Sequence, residues 1–128
     1  MPKRAMGSMT ESMFYTLMAL LAGPRCGTEI AAFVKKLTEG RVVLGPGTLY
    51  TILSRFLEVG YLRETSTEGR KRTYALTGEG RRAYEEELVR LKLRLADAEA
   101  APALLLTEGG APDGGEEADP APAALPAL

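Results

Sequence analysis

"VVLGPGTLYTILSRFLEVGYLRETSTEGRKRTYALT", residues 42–77, places a helix pattern directly before a hairpin pattern. Gly45, Pro46 and Gly47 are poor helix formers, yet Leu49, Ile52, Leu53, Phe56 and Leu57 follow at the spacing of a buried helical face. Proline suits the first helical position, where its missing N–H would have no partner and its φ is already helical. Pro46 therefore opens the helix, its flanking glycines leave the backbone bare to an approaching surface, and Gly60 ends it as a C-terminal cap. At 100° per residue the five apolar side chains cluster within about 140°. Thr48, Thr51, Ser54 and Arg55 are left on the opposite side, with Tyr50 at its margin. Beyond Gly60, alternating Thr, Tyr and Leu about a Glu68-Gly69 turn predict two strands, residues 61–67 and 71–77. Arg70, Lys71 and Arg72 stand at the tip. A lone hairpin is unstable in water, so Leu62, Tyr74 and Leu76 are expected to pack on the helices.

Toward the N-terminus, residues 10–22 carry Met13, Leu17, Leu20 and Leu21 on one helical face, with Phe14 and Met18 widening it. Ser8 and Glu11 have the S-x-x-E spacing of a capping box at its start. "AGPRCG", residues 22–27, breaks this helix. A second is expected over residues 27–37, burying Ile30, Phe33, Val34 and Leu37, with Gly40 as its stop. Toward the C-terminus, residues 79–100 are rich in the helix formers Glu, Arg, Leu and Ala. Tyr84, Leu88, Leu91, Leu95 and Ala98 recur there at steps of four, three, four and three, the a/d seam of a coiled coil, broadened by Val89 and Leu93. From 101 to 128 the chain turns to Ala, Pro, Gly, Leu and acids without period, which predicts a disordered acidic tail.

The order α, α, α, hairpin, α is that of a winged helix-turn-helix: mainly α with a small β-hairpin, plus a C-terminal dimerisation helix. The expected organisation is an N-terminal arm over residues 1–8, a winged domain over 9–78, a dimerisation helix over 79–100 and the tail over 101–128. The length of 128 residues is that of one domain. The N-terminal "MPKRAMGSM" lacks the apolar stretch of a secretory signal, and no run of about 18 apolar residues is present to cross a membrane, so the expected location is the cytoplasm with no membrane partner. Cys26 is the only cysteine and there is no histidine, which leaves no intramolecular disulfide and no usual zinc ligand set. No metal, no cofactor and no catalytic residue are expected: there is no His base, Cys26 has no evident base, and paired carboxylates are not visible.

The formal net charge of −1 hides a division. Residues 1–95 hold all sixteen Lys and Arg against ten acids, a net +6, while the seven acids from Asp97 to Asp119 face no base. The part that reads as folded is basic and suited to a polyanion. The polar row of the third helix is short and hydroxyl-rich, with a guanidinium at Arg55 and a phenol at Tyr50. Such a surface fits the major groove, where small side chains permit close approach and Arg pairs with guanine or phosphate. The other reading of that row is an ordinary amphipathic helix whose Tyr50 closes the edge of the core. A cationic hairpin tip beside it adds the salt-sensitive, sequence-blind grip on phosphates that a wing supplies. The seam of the last helix favours a homodimer presenting two recognition helices about 34 Å apart, against packing back onto its own domain.

These residues carry a resemblance to the PadR family of bacterial transcriptional regulators. It covers about residues 9–95 and rests on "MTESMFYTLMALLAGP" (9–24), "GTEIAAFVKKLTEGRVVLGPGTLYTILSRFLEVGYL" (27–62) and "GRKRTYALTGEGRRAYEEEL" (69–88), above all on "GPGTLY" followed later by a YxLTxxG strand end. The single final helix resembles the family's shorter subclass. The resemblance implies a winged-helix repressor binding double-stranded DNA as a homodimer at a pseudo-palindromic operator. It implies recognition by Thr48, Tyr50, Thr51, Ser54 and Arg55 and wing contacts by Arg70, Lys71 and Arg72, while the a/d seam assigns dimerisation to Tyr84, Leu88, Leu91, Leu95 and Ala98. Some relatives take flat apolar or aromatic effectors between the first and last helices of the dimer, which would place Phe14, Tyr15 and Met18 in such a pocket. The alternative is a winged-helix module for protein–protein contacts, in which the basic tip is incidental.

Overall fold

The structure, a computed structural model, describes residues 8–109. They divide into two units, one ending at Leu88 and the other beginning at Val89. The first contains α1 (Glu11–Ala19), β1 (Arg25–Cys26), α2 (Gly27–Leu37), α3 (Pro46–Val59), β2 (Leu62–Glu68), β3 (Lys71–Leu76) and the start of α4 (Gly78–Gly109). Phe56, Leu17, Leu20, Ile30 and Val34 are its largest fully buried apolar side chains, and Leu49, Ile52 and Leu53 complete the core from α3. The apolar stripe read from residues 49–56 is thus the packing face, and truncating a residue such as Phe56 costs about 3–5 kcal/mol.

α1 begins differently from the expected Ser8/Glu11 box. Thr10 is the N-cap: its Oγ1 accepts from the Met13 N–H at 3.1 Å while the Met13 Sδ accepts from the Thr10 N–H at 3.4 Å. Met9, before this cap, and Met13, within the helix, both pack against the core. The helix also stops at Ala19, not Ala22, with Leu20 as C-cap. The Arg25 Nε claims the Ala19 carbonyl at 2.7 Å, and the Arg25 guanidinium lies 4.7 Å over the Phe33 ring, so the connection turns early into β1.

β1 was absent from the expected hairpin. Its two residues pair antiparallel with β3, Arg25 opposite Tyr74 and Cys26 opposite Thr73, giving a three-stranded sheet in the order β1-β3-β2. The hairpin turn falls one residue later than expected, on Gly69-Arg70, because Glu68 pairs with Lys71 and Gly69 takes φ +60°. A register shift between Glu64 and Ser66 bulges β2 at Thr65. As expected, Leu62 and Tyr74 are buried and Leu76 packs partly against the core.

α2 has its expected bounds, but Leu37 is 49% exposed instead of buried. The inward line Ile30, Val34 is continued by Thr38, which is 2% exposed. Its Oγ1 donates to the Val34 carbonyl at 2.8 Å and accepts from the Val42 N–H at 3.0 Å. This pins the turn that delivers Val42 and Leu44 to the core and Gly45 to the N-cap of α3. Gly60 caps α3 in the left-handed region at φ 87°.

Thr77 joins the sheet to α4. Its N–H donates to the Tyr61 carbonyl at 3.0 Å, its Oγ1 donates to the Gly60 carbonyl at 2.6 Å, and the same oxygen accepts from the Gly80 N–H at 3.0 Å. Gly80 sits so near that a Cβ would lie 2.2 Å from the Tyr61 oxygen, which accounts for the glycine of the YxLTxxG stretch.

The second unit is described as helix through Gly109, well beyond residue 100 where the sequence reading ends it. Ala100, Ala101, Ala103 and the leucines at 104–106 are strong helix formers and carry the helix past Pro102, which removes one hydrogen bond. The expected tail over 101–128 is therefore helical in its first part, and residues 110–128 lie outside the described residues. Val89, Leu93, Leu95 and Leu104–Leu106 are exposed.

Candidate nucleic-acid interface

α3 presents its N-terminal half outward because its opposite side is buried. Gly45 is the N-cap and Pro46 the first helical residue, and a Cβ at Gly45 or Gly47 would meet nothing within 4 Å. The peptide N–H groups of the first turn carry the positive end of the helix dipole and suit a phosphate. Thr48, Thr51 and Ser54 are exposed, Arg55 is half-buried, and Tyr50 is 68% exposed. Tyr50 therefore does not close the core edge. The Thr51 Oγ1 donates to the Gly47 carbonyl at 3.1 Å, which leaves the hydroxyl oxygen as an acceptor.

Two concave surfaces flank this crest. One runs between the start of α2, the start of α3 and the hairpin; it encloses about 860 Å³ and is lined by Gly27, Thr28, Glu29, Pro46 and Tyr50 together with Arg70, Lys71 and Arg72. The other is lined by Thr48, Thr51, Ile52 and Arg55 with Ser8, Thr10, Ser12 and Met13. The fold thus brings Tyr50 to the basic triplet, places Thr48, Thr51 and Arg55 on the other flank, and puts Ser54 in neither. Thr28, Glu29, Ser8 and Ser12 were not singled out from sequence. Their signal is only a hydroxyl or acid at a helix start, which ordinary capping also produces.

The electrostatics of the wing side are modest and displaceable. The Cys26 N–H donates to the Glu29 Oε1 at 2.9 Å, and this bond holds the Glu29 carboxyl below its ordinary value, helped by the Cys26 side chain and the charges of Lys71 and Arg25 against a small desolvation penalty. The Arg72 Nε lies 4.0 Å from the Glu64 Oε2, which also accepts from Thr67. Exposed pairs of this kind contribute under about 1 kcal/mol, so a phosphate can take their place. Arg70, Lys71 and Arg72 are all exposed.

Along α4 the seam residues are not alike. The Tyr84 ring stacks on Phe14 of the same chain, with centroids 4.9 Å apart and planes 8° from parallel, while Leu88 and Leu91 are half-buried and Leu95 and Ala98 exposed. Phe14, Tyr15 and Met18 on α1 are half-buried. Among the described residues no helix is long and apolar enough to cross a membrane, and no group of three His, Cys, Asp or Glu is placed to hold a metal ion.

Comparison with known proteins bears on the fold and the family. A transcriptional regulator from Clostridium thermocellum superposes with a TM-score of 0.64 at 25% identity, over 68% of this chain and 88% of that one. A PadR-like transcription factor from Bacteroides fragilis does so with a TM-score of 0.58 at 26% identity, over 70% and 88%. An uncharacterised 37.1 kDa protein in a transposon of Streptomyces fradiae is 35% identical over 77 residues; these are 60% of this chain but the match spans only 22% of that protein. Residues 16–86 match the transcriptional regulator PadR-like family. With three helices, the small antiparallel sheet and the final helix all in place, the chain belongs to the PadR-like family of transcriptional regulators.

Proposed function

We propose that the chain binds double-stranded DNA sequence-specifically, as a homodimer on a pseudo-palindromic operator, and acts as a repressor in the cytoplasm. The observation that carries this reading is the concave surface joining the exposed Tyr50 of α3 to Arg70, Lys71 and Arg72 of the hairpin. The crest of α3 enters the major groove with Thr48, Tyr50, Thr51, Ser54 and Arg55, and the hairpin grips the flanking phosphates as a wing. Tyr84, Leu88, Leu91, Leu95 and Ala98 form one side of the dimer seam, with the Tyr84 ring shared with Phe14. A small apolar or aromatic effector binds, in this reading, against Phe14, Tyr15 and Met18, beside the stacked rings of Phe14 and Tyr84.

The test is electrophoretic shift with DNA from upstream of the chain's own gene, repeated across a salt series. Arg70→Ala with Arg72→Ala is expected to weaken binding to every sequence and to flatten the slope of log K against log salt by about 0.9 for each phosphate that is no longer neutralised. No retained complex with that or any other genomic duplex at low salt would favour a protein-interaction module.

A further inference from the structure

We infer that Arg55 and the start of α1 form a phosphate seat, in which the guanidinium and the hydroxyls of Ser8, Thr10 and Ser12 grip one backbone phosphate of duplex DNA on the flank of α3 away from the wing. This rests on the DNA-binding reading above and deepens it: Arg55 holds the duplex without reading a base. The placement comes from the second concave surface, where Ser8, Thr10 and Ser12 line the same hollow as Thr48, Thr51 and Arg55 of α3. On the wheel of α3, Arg55 lies about 140° from Tyr50, which lines the wing-side hollow. A helix with its side chains is about 10–12 Å across and the major groove about 12 Å wide. An α3 seated in the groove therefore brings each hollow to its own phosphate rail.

The chemistry of this hollow is one-sided. Ser8, Thr10, Ser12, Thr48 and Arg55 are donors, and no acid is among the lining residues; Glu11, the nearest acid in sequence, stays outside the lining. The Thr10 Oγ1 accepts from the Met13 N–H at 3.1 Å, which leaves its own O–H to donate. Among the described residues, neither the Arg55 guanidinium nor the hydroxyls of Ser8, Ser12 and Thr48 have a hydrogen bond or an ion pair. Arg55 is nonetheless half-buried, with the half-buried Met13 and the buried Ile52 lining the same hollow. Apolar neighbours lower the local dielectric and strengthen the pull of a guanidinium on an anion. A cation drawn partly out of water is ordinarily paired, and here the charge of opposite sign must come from outside the chain. The wing differs on this point, since Arg72 has Glu64 at 4.0 Å and Glu29 lines its hollow.

The test uses the full chain and its preferred duplex, prepared as a set in which each member carries one neutral methylphosphonate linkage, with fluorescence anisotropy across a salt series. In the wild type, one linkage on the rail away from the wing is expected to cost affinity. Arg55→Ala is expected to abolish that cost while the other linkages keep theirs, to flatten the salt slope by about 0.9 per protomer, and to leave the ratio of operator to random-sequence binding unchanged. Arg55→Lys keeps the charge and should keep the slope, and Ser12→Ala should weaken binding to every sequence by roughly 2- to 12-fold, the worth of one hydrogen bond. Circular dichroism checks that each variant is folded. The same linkage costs in Arg55→Ala as in the wild type, while Arg70→Ala with Arg72→Ala flattens the slope, overturn the seat and leave the DNA-binding reading standing. A loss confined to the operator also overturns it, because Arg55 would then read a base. So does millimolar inorganic phosphate, exchanged for chloride at fixed ionic strength, if it displaces duplex from the wild type and not from Arg55→Ala, since the seat would then belong to a free anion. A wild-type chain that binds no duplex sinks both readings.

Discussion

Replacing Gly80 by alanine tests the joint between the sheet and α4. The new Cβ would sit 2.2 Å from the Tyr61 oxygen, 2.9 Å from the Leu76 Cδ1 and 3.0 Å from the Tyr61 carbonyl carbon. A leucine methyl can swing away, but a backbone carbonyl that also accepts from the Thr77 N–H at 3.0 Å cannot move without loosening the junction. Overpacking of this kind costs about 1–3 kcal/mol. Disturbing the bonds from Thr77 to Gly60 and Tyr61 adds about 1 kcal/mol each. Alanine returns up to about 1 kcal/mol as the better helix former, so the net loss is about 2–4 kcal/mol. For a domain of this size that lowers Tm by roughly 10–25 °C. The assay is thermal and urea unfolding followed by circular dichroism at matched protein concentration, since association would itself shift Tm. Gly78→Ala is the internal control: a Cβ there meets nothing within 4 Å, and a neutral or slightly stabilising effect is expected. A Gly80→Ala protein as stable as wild type, or a Gly78→Ala protein equally weakened, would refute the close-approach argument.

Tyr50→Ala removes a ring that is 68% exposed, so unfolding should stay within about 0.5 kcal/mol of wild type while the ratio of operator to random-sequence binding falls, read by anisotropy beside circular dichroism. Leu88→Glu with Leu91→Glu is expected to yield monomers in sedimentation analysis with little operator affinity; an intact dimer would remove this seam from the account. Glu29 has a lowered carboxyl pKa, so its support of the α2 start is complete above the ordinary value of 4.5 and is lost as pH falls through the lowered one. Acid titration of Glu29→Gln should accordingly show a stability deficit near neutral pH that closes as pH falls below 4.5 through the lowered value. A deficit that persists there points to the amide's shape, not the charge.

Local chemistry was legible wherever one residue type has one plausible use. Pro46 at a first helical position and Gly60 beyond the last apolar turn bounded α3, and the α3 apolar period named the core face that the structure buries. The basic triplet and the exposed row of α3 were likewise visible, since charge and polarity opposite an apolar stripe have nowhere to go but the surface. The strand β1 was not legible, because two residues carry no period and its existence depends on Tyr74 and Thr73 arriving beside it. Leu37 was misread because a hydroxyl, Thr38, takes the inner position once the Val34 carbonyl and Val42 N–H are there to receive it. The Ser8/Glu11 box gave way to a Thr10–Met13 cap, a thioether acceptor that the S-x-x-E pattern does not include.

For this protein the order of residues by itself determined that four helices and a hairpin follow one another, which face of α3 is apolar, and how charge divides along the chain, but not where α1 and α4 end. The tertiary structure alone decided that Tyr50 shares a hollow with Arg70–Arg72 while Thr48, Thr51 and Arg55 share another with the start of α1. The reason is physical: periodicity reports the orientation of a side chain about its own helix, whereas a binding surface is made where several elements meet, and their meeting is fixed by packing between residues far apart in the chain.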